Sequence, residues 1–297
     1  VLLTGEYFVL DGALALALPT KLGQWMRVTR EAGNKNMSML WRSLDEQGYC
    51  WFNAEIDTAT GAMLSCDDGP TGSTLQSILQ AVAAENPDFM RGATEVETQL
   101  EFSRFWGLGS SSSLVYLIAS WGKVNPFILL EKTMGGSGYD VACAGSDRPI
   151  LYQIADGRPS VVIADFHPPF AEQLYFVYLG QKQSSREGIV RYRSLAKNIA
   201  PATERISELT KATLGASNLP EFERVITEHE AIVGNTINAR SAKQLLFPDY
   251  WGAVKSLGAW GGDFVLATSN RPIGETLAYF SQKGYPVVLP YKELVNH

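Results

Sequence analysis

The amino-acid sequence predicts a two-domain α+β protein, and three observations carry that prediction. At 297 residues the chain exceeds the size at which a single hydrophobic core usually stops growing. Short β-like runs and amphipathic helical stretches interleave without the regular βα period of a parallel barrel. The run His167-Pro168-Pro169 interrupts the pattern and marks a boundary, which gives an N-terminal domain over 1–168 and a C-terminal domain over 169–297.

In the first domain Val1-Leu2-Leu3 reads as a strand that turns at Thr4-Gly5, with further apolar structure around Asp11-Gly12. The runs WMRVTR, SMLWRS and GYCWFNAEID, separated by turns such as Gly33-Asn34 and 45–48, predict a β-meander between Trp25 and Asp57. Leu75, Ile78, Leu79 and Val82 fall at helical spacing and predict a helix over 73–85, closed by Asn86-Pro87. Pro126 to Thr133 predicts a second helix, and the glycines at 135 and 136 set Asp140 on a bend. Strands are expected again within 151–162 and over 174–179. A long helical region then follows, including an amphipathic stretch over 217–246 with Phe222, Val225, Ile226 and Ile232. Near the end, a glycine-rich turn precedes the strand DFVLAT, and a helix over 273–283 leads to PVVLP.

Composition excludes several function classes. Hydrophobic residues at 45% and charged residues at 19% are ordinary globular values. With 25 basic and 31 acidic side chains, the formal charge of −6 offers no basic face for nucleic acid. Cys50, Cys66 and Cys143 have no Cys-x-x-Cys spacing and form no metal-ligand pattern with His167, His229 and His297. Reduced thiols and a cytoplasmic location are the expectation. The apolar start Val1–Leu18 is broken by Glu6 and Asp11 and lacks a basic leader, so neither a signal peptide nor a membrane span is expected.

The segment TQLEFSRFWGLGSSSSLVYLIASWG, residues 98–122, points to chemistry. Thr98, Leu100 and Phe102 alternate as on a strand, the chain breaks at Gly107 and Gly109, and Leu114, Val115, Leu117, Ile118 and Trp121 fall at helical spacing. Ser110 to Ser113 then occupy a first helical turn, where free N–H groups and the helix dipole favour an anion such as phosphate. Alone, this break reads first as a tight connection with a serine cap. It is neither a Walker A loop, because no lysine follows Gly109 before Lys123, nor a dinucleotide fingerprint, because Ser112 stands in the third glycine's place.

Together with LTGEYFVLDGALALAL at 3–18 and KSLGAWGGDFVLA at 255–267, the GLGSSSS loop resembles the three ordered motifs of the GHMP kinases, the family of galactokinase and of homoserine, mevalonate and phosphomevalonate kinases. A fourth patch, GGSGYDVA at 135–142, is similar to a segment of the phosphomevalonate kinase branch, and the likeness runs from about residue 3 to about residue 268. The resemblance implies a GHMP kinase fold, with an N-terminal domain like ribosomal protein S5 and a ferredoxin-like C-terminal domain. It implies a kinase using ATP and Mg2+ on a small-molecule acceptor, with a homodimer as an allowed assembly.

By the same resemblance, the backbone of Gly107, Leu108, Gly109, Ser110, Ser111 and Ser112 holds the nucleotide phosphates. Ser111 reaches the metal, with Ser110 and Ser112 as close alternatives, and Glu131 is the metal carboxylate although it stands nine residues before Asp140 where mevalonate kinases have eleven. Asp140 accepts a proton from the acceptor hydroxyl or aligns it; otherwise it is a turn former. Glu6, Lys182, Ser184, Ser185, Arg186, Gly258, Gly261 and Gly262 face the substrate. Glu6 and Asp11 are candidates for contacts with substrate or with basic groups nearby, Glu6 reading equally as a solvated turn residue and the 181–186 loop as a solvated connection. Relatives commonly carry a lysine just before the first motif, a position that would precede Val1; Lys21 is the nearest basic residue here. Trp260 departs from the small residue usual in the third motif and would narrow the cleft or pack beneath the loop. Two other activities suit the same motifs: a diphosphomevalonate decarboxylase, and a nucleotide-binding protein of weak catalysis.

Overall fold

The computed structural model of the chain describes residues 1–31, 37–181, 185–195 and 197–296; the turn expected at Gly33-Asn34 lies outside the described residues, as does His297. The fold is a mixed α and β structure with three sheets among the described residues, and the chain divides into two compact units. They are not cut near residue 168. The first unit comprises 1–21, 105–107 and 146 onward, the second 22–104 and 108–145. The N-terminal strands Leu2–Thr4 and Ala15–Ala17 join Ile150–Ala155 and Arg158–Ile163 in one antiparallel sheet, so the first motif belongs with the C-terminal half. Asp156 and Gly157, at φ 50° and 72°, make the two-residue turn between the last two strands.

The second sheet of the first unit runs Val254–Ser256, Phe264–Thr268, Leu174–Tyr178, Val288–Pro290, all antiparallel. Phe264–Thr268 is buried at every position, which explains its uninterrupted apolar reading. Val177, Phe247, Tyr250, Val265 and Phe280 build the core on this sheet. Helices Ser185–Leu195, Ala200–Gly215 and Leu219–Thr236 follow the strand Leu174–Tyr178. The helix expected over 217–246 stops at Thr236 and resumes as Ala242–Leu245, because Asn238 takes a left-handed φ of 48° between them.

In the second unit a five-stranded sheet is ordered Gln24–Arg30, Ala93–Leu100, Ser38–Leu44, Cys50–Asp57, Met63–Cys66. The expected meander is therefore opened: Ala93–Leu100 inserts between its first two strands, antiparallel to Gln24–Arg30 and parallel to Ser38–Leu44. A parallel neighbour needs a crossover, and the helix Gly69–Glu85 lies within it. That helix starts before Ser73 because Asp68 accepts the Thr71 N–H at 3.1 Å and proline suits the first turn. Met39 and Trp41 alternate with exposed Leu40 and Arg42, and they meet Ile78, Leu79, Val115 and Ile118 from the helices in one core. Among the described residues no helix is long and apolar enough to cross a membrane.

Two helices of this unit touch at Gly122, where an added Cβ would fall 2.2 Å from Val82 Cγ1. Gly122→Ala is expected to destabilise by about 1–3 kcal/mol through overpacking, and Val82→Ala in the same chain should recover part of that loss. Urea unfolding of the double-mutant cycle checks this, and strictly additive effects would remove the steric account.

Candidate functional site

The GLGSSSS segment is divided in the chain, with Gly107 counted in the first unit and Leu108 onward in the second. On the second unit, Gly109 has φ 83° and caps the helix Ser110–Gly122. A side chain at that φ is strained, so glycine is required by conformation. Ser113 N–H bonds to the Gly109 carbonyl at 2.9 Å, which leaves the N–H groups of Ser110, Ser111 and Ser112 as the donors that a helix start presents outward. Ser113 Oγ lies 2.6 Å from Gln24 Oε1 and fastens the first turn to the sheet. Ser111 is exposed, and Ser110 and Ser112 are half-buried.

Asp140 is brought to this turn by three glycines, 135, 136 and 138, all with positive φ. It is the second residue of a short helix, Tyr139–Ala144, and not on a bend as expected. A Cβ built on Gly109 would lie 3.7 Å from Asp140 Oδ1, so the carboxylate faces the glycine's open side. Desolvation pushes the Asp140 carboxyl above the usual carboxylate range, and a hydrogen bond with Tyr139 works against that shift. Glu131 is exposed near the end of the helix Pro126–Thr133. Among the described residues no group of three or more His, Cys, Asp or Glu assembles that could hold a metal ion.

On the first unit, the third motif forms the loop between Val254–Ser256 and Phe264–Thr268, with Gly258 and Gly261 at φ 63° and 82°. The Gly262 N–H closes that loop on the Ala259 carbonyl at 3.1 Å. Gly107 is required for a different reason: a Cβ there would stand 1.9 Å from Asp263 Oδ2. Residues 105–107 are further tied to this sheet by Tyr178 Oη, which donates to the Phe105 carbonyl at 3.0 Å, and by the edge-to-face contact of Trp106 with Phe264. Trp260 turns its indole onto Gly234 and donates Nε1–H to the Arg240 carbonyl at 3.2 Å, while its backbone N–H donates to Tyr7 Oη at 3.0 Å.

Glu6 is not solvated, and it meets a basic group. It is 2% exposed and its carboxylate pairs with Lys255, itself 1% exposed. Burial raises the Glu6 carboxyl and the Lys255 charge opposes that rise. Around this pair, His229 Nε2 accepts the Gly5 N–H at 2.9 Å, and Glu230 accepts both the Ser256 N–H at 3.1 Å and its O–H at 2.8 Å. Burial and the Lys255 charge hold the His229 imidazole well below its ordinary pKa, so the approach of Glu6 Oε2 to Nε2 at 3.3 Å is not an ion pair. Sequence reasoning missed Lys255, His229, Glu230 and Ser256. The signal was available: 222, 225, 226, 229, 230 and 233 form one buried helical stripe, and a His-Glu pair on such a stripe must find polar partners.

Asp11 accepts from Tyr192 Oη at 2.7 Å and from Arg193 at 2.5 Å, and so meets the basic group expected for it. Lys21 donates to the Lys292 carbonyl. Lys182 and Ser184 lie outside the described residues; Ser185 opens the helix Ser185–Leu195, where Arg186 is exposed. A cavity of about 440 Å³, lined by Phe170, Glu223 and Trp251 among others, lies elsewhere in the first unit and contains none of the predicted site residues.

Comparison with solved structures follows this geometry. The Methanococcus jannaschii mevalonate kinase matches with a TM-score of 0.67 at 13% identity, over 97% of this chain and 94% of that one. Streptococcus pneumoniae phosphomevalonate kinase, in complex with phosphomevalonate and AMPPNP, matches at 0.66 and 17% identity over 97% and 96%. Mevalonate diphosphate decarboxylase from Enterococcus faecalis matches at 0.55 and 12% identity over 95% and 87%. No protein-family model and no curated protein sequence matches the chain. The chain has the fold of the mevalonate and phosphomevalonate kinases, and its structural neighbours are the GHMP-type kinases whose motifs its sequence resembles.

Glu230 supplies a pH test of the buried cluster, because burial pushes its carboxyl up from 4.5 to about 7. Between those values the native state keeps a proton that the unfolded chain has released, so stability falls as pH rises through the window. Glu230→Gln is expected to gain on wild type from pH 5 to pH 7 and to hold a constant difference above. Urea unfolding at several pH values checks this; a difference independent of pH would mean Glu230 is already ionised at pH 5.

Proposed function

We propose that this protein is an ATP-dependent small-molecule kinase that transfers the γ-phosphoryl group to a mevalonate- or phosphomevalonate-like acceptor. The observation that carries this reading is the Asp140 carboxylate set against Gly109 at the open first turn of the helix Ser110–Gly122. Phosphoryl transfer asks the protein mainly for anion donors, positioning and somewhere for the acceptor proton to go. The N–H groups of residues 107–112 supply donors, and the space kept clear at Gly109 lets phosphate oxygens approach the backbone. Asp140 would accept the acceptor hydroxyl's proton or align its oxygen. Its raised pKa makes it a stronger base than an exposed aspartate.

The donor set also fits a nucleotide-borne magnesium ion. Mg2+ keeps most of its ligands as water and phosphate oxygens, so a site offering the Ser111 hydroxyl, or that of Ser110 or Ser112, with Glu131 as the acidic candidate, needs no three-carboxylate cage. When bound, the ion would neutralise charge on the transferring phosphoryl group. Lys182, Ser184, Ser185 and Arg186, beginning after the strand Leu174–Tyr178, are the proposed contacts for an acidic or phosphorylated acceptor. The complex of the Streptococcus pneumoniae enzyme with phosphomevalonate and AMPPNP supports this choice of ligands.

Two outcomes test the proposal. ATP with Mg2+ is expected to raise the melting temperature of the wild type and to leave Gly109→Val unshifted, because valine strains the positive φ and fills the space before Asp140. Asp140→Asn is expected to retain nucleotide binding while kcat falls roughly 10²–10⁴-fold, the range for a general acid–base group. Single-turnover assays with mevalonate and phosphomevalonate measure this. Release of CO2 from a diphosphorylated acceptor would instead assign the decarboxylase reaction, and undiminished turnover in Asp140→Asn would remove the proposed role.

A further inference from the structure

Two consecutive residues of the helix Leu219–Thr236 reach separate motifs. His229 holds the first, through the Gly5 N–H at 2.9 Å. Glu230 holds the third, through the Ser256 N–H at 3.1 Å and O–H at 2.8 Å. Between them, Lys255 bridges the motifs by pairing with Glu6 and by donating to the Ser256 carbonyl at 3.0 Å. His229, Glu230, Lys255, Glu6 and Ser256 are all at most 4% exposed. In such surroundings an acceptor cannot be traded for water, so each hydrogen bond fixes geometry. The third motif then continues to Asp263, whose carboxylate abuts Gly107 at the start of the phosphate loop.

We infer that His229 and Glu230 are positioning residues for phosphoryl transfer: one rigid helix sets the first and third motifs in register, and through Asp263 it braces the start of the phosphate loop. Neither side chain is required to touch a ligand. Glu6–Lys255 alone would not fix the register, because a lysine on a flexible stem can follow a carboxylate over several ångströms. The backbone-directed bonds of Gly5 and Ser256 do fix it, since both end on main-chain N–H groups.

The kinetic part of this inference rests on the proposed kinase reading; the structural part does not, and two readouts separate them. Glu230→Leu keeps the volume and removes the acceptor, Glu230→Gln keeps an acceptor, and Ser256→Ala removes only the hydroxyl donor, serving if the leucine variant does not fold. Amide hydrogen exchange should accelerate in Glu230→Leu over 256–263 and leave the distant strands Ser38–Leu44 and Cys50–Asp57 unchanged. With an acceptor in hand, kcat/KM per folded molecule should fall on the order of 10–100-fold in Glu230→Leu, the scale of a small misplacement of reacting groups, and recover in Glu230→Gln. Ser256→Ala should show the same changes to a smaller extent. Unchanged exchange over 256–263 in both Glu230→Leu and Ser256→Ala would overturn the clamp. Altered exchange with unaltered kinetics would reduce it to a stability element and overturn the positioning role. A wild type inactive on every acceptor but with the expected exchange pattern would overturn the kinase reading and uphold the clamp.

Discussion

The buried pairing of Glu6 with Lys255 is the constraint on which the first unit depends. Both side chains are almost fully removed from water, and their attraction has to offset the loss of hydration of two charges. Such a pair adds little net stability compared with an apolar pair of the same volume. Separating it is another matter, because one stranded charge costs about 3–5 kcal/mol against a total stability of about 5–15 kcal/mol. The pair therefore keeps the first and third motifs within reach of one another, while the bonds of His229 and Glu230 to the Gly5 and Ser256 N–H groups set their register. Tyr7 shows the consequence next door: it holds φ 61°, a region that costs a bulky residue of order 1–3 kcal/mol. The stack on Tyr192 at 5.6 Å and the hydrogen bond from Trp260 N–H keep it there.

The two glycines of the phosphate loop answer different physical demands. At Gly107 the φ is positive and, independently, the Asp263 carboxylate occupies the place a Cβ would need. At Gly109 the nearest atom to a Cβ is 3.7 Å away, so space is present and conformation alone excludes other residues. One glycine lets a protein carboxylate brace the backbone, and the other leaves the backbone open on the side that Asp140 faces. The same three-residue stretch thus combines a packing requirement and a conformational one.

What was legible in the sequence was local. The β-like run at 38–43, the alternation of Thr98 and Leu100, the helical stripe at 75–82 and the glycine-serine break at 107–113 each depend on neighbours a few residues away. The order of strands did not follow, because the insertion of Ala93–Leu100 between Gln24–Arg30 and Ser38–Leu44 is decided by a crossover that periodicity does not report. The domain boundary failed for the same reason, since pairing of Ala15–Ala17 with Ile150–Ala155 is a contact between distant segments. The partner of Glu6 was not legible because it stands 249 positions away, and a carboxylate beside a glycine turn looks solvated until that partner is known. The Asp140 region was readable in its glycines, although its conformation proved helical.

Trp260 shows how a departure from a motif is absorbed. A bulky residue in a glycine loop needs room, and the room comes from Gly234 in the long helix, where the indole lies 3.4 Å from the place of a Cβ. A glycine inside a helix costs roughly 1 kcal/mol relative to alanine, and at Gly234 two neighbours account for it: a Cβ would stand 2.9 Å from the Ala239 carbonyl oxygen and would also meet the indole. The ring joins Tyr7, Tyr192, Val233 and Ile237 in a core cluster and satisfies its N–H on Arg240. Gly258 and Gly261 on either side keep their positive φ values, and the loop backbone therefore does not have to change to accommodate the ring. The substitution alters what the third motif is anchored to and leaves its glycine geometry intact, which is why a loop that looks atypical in sequence is compatible with the fold of the mevalonate kinases.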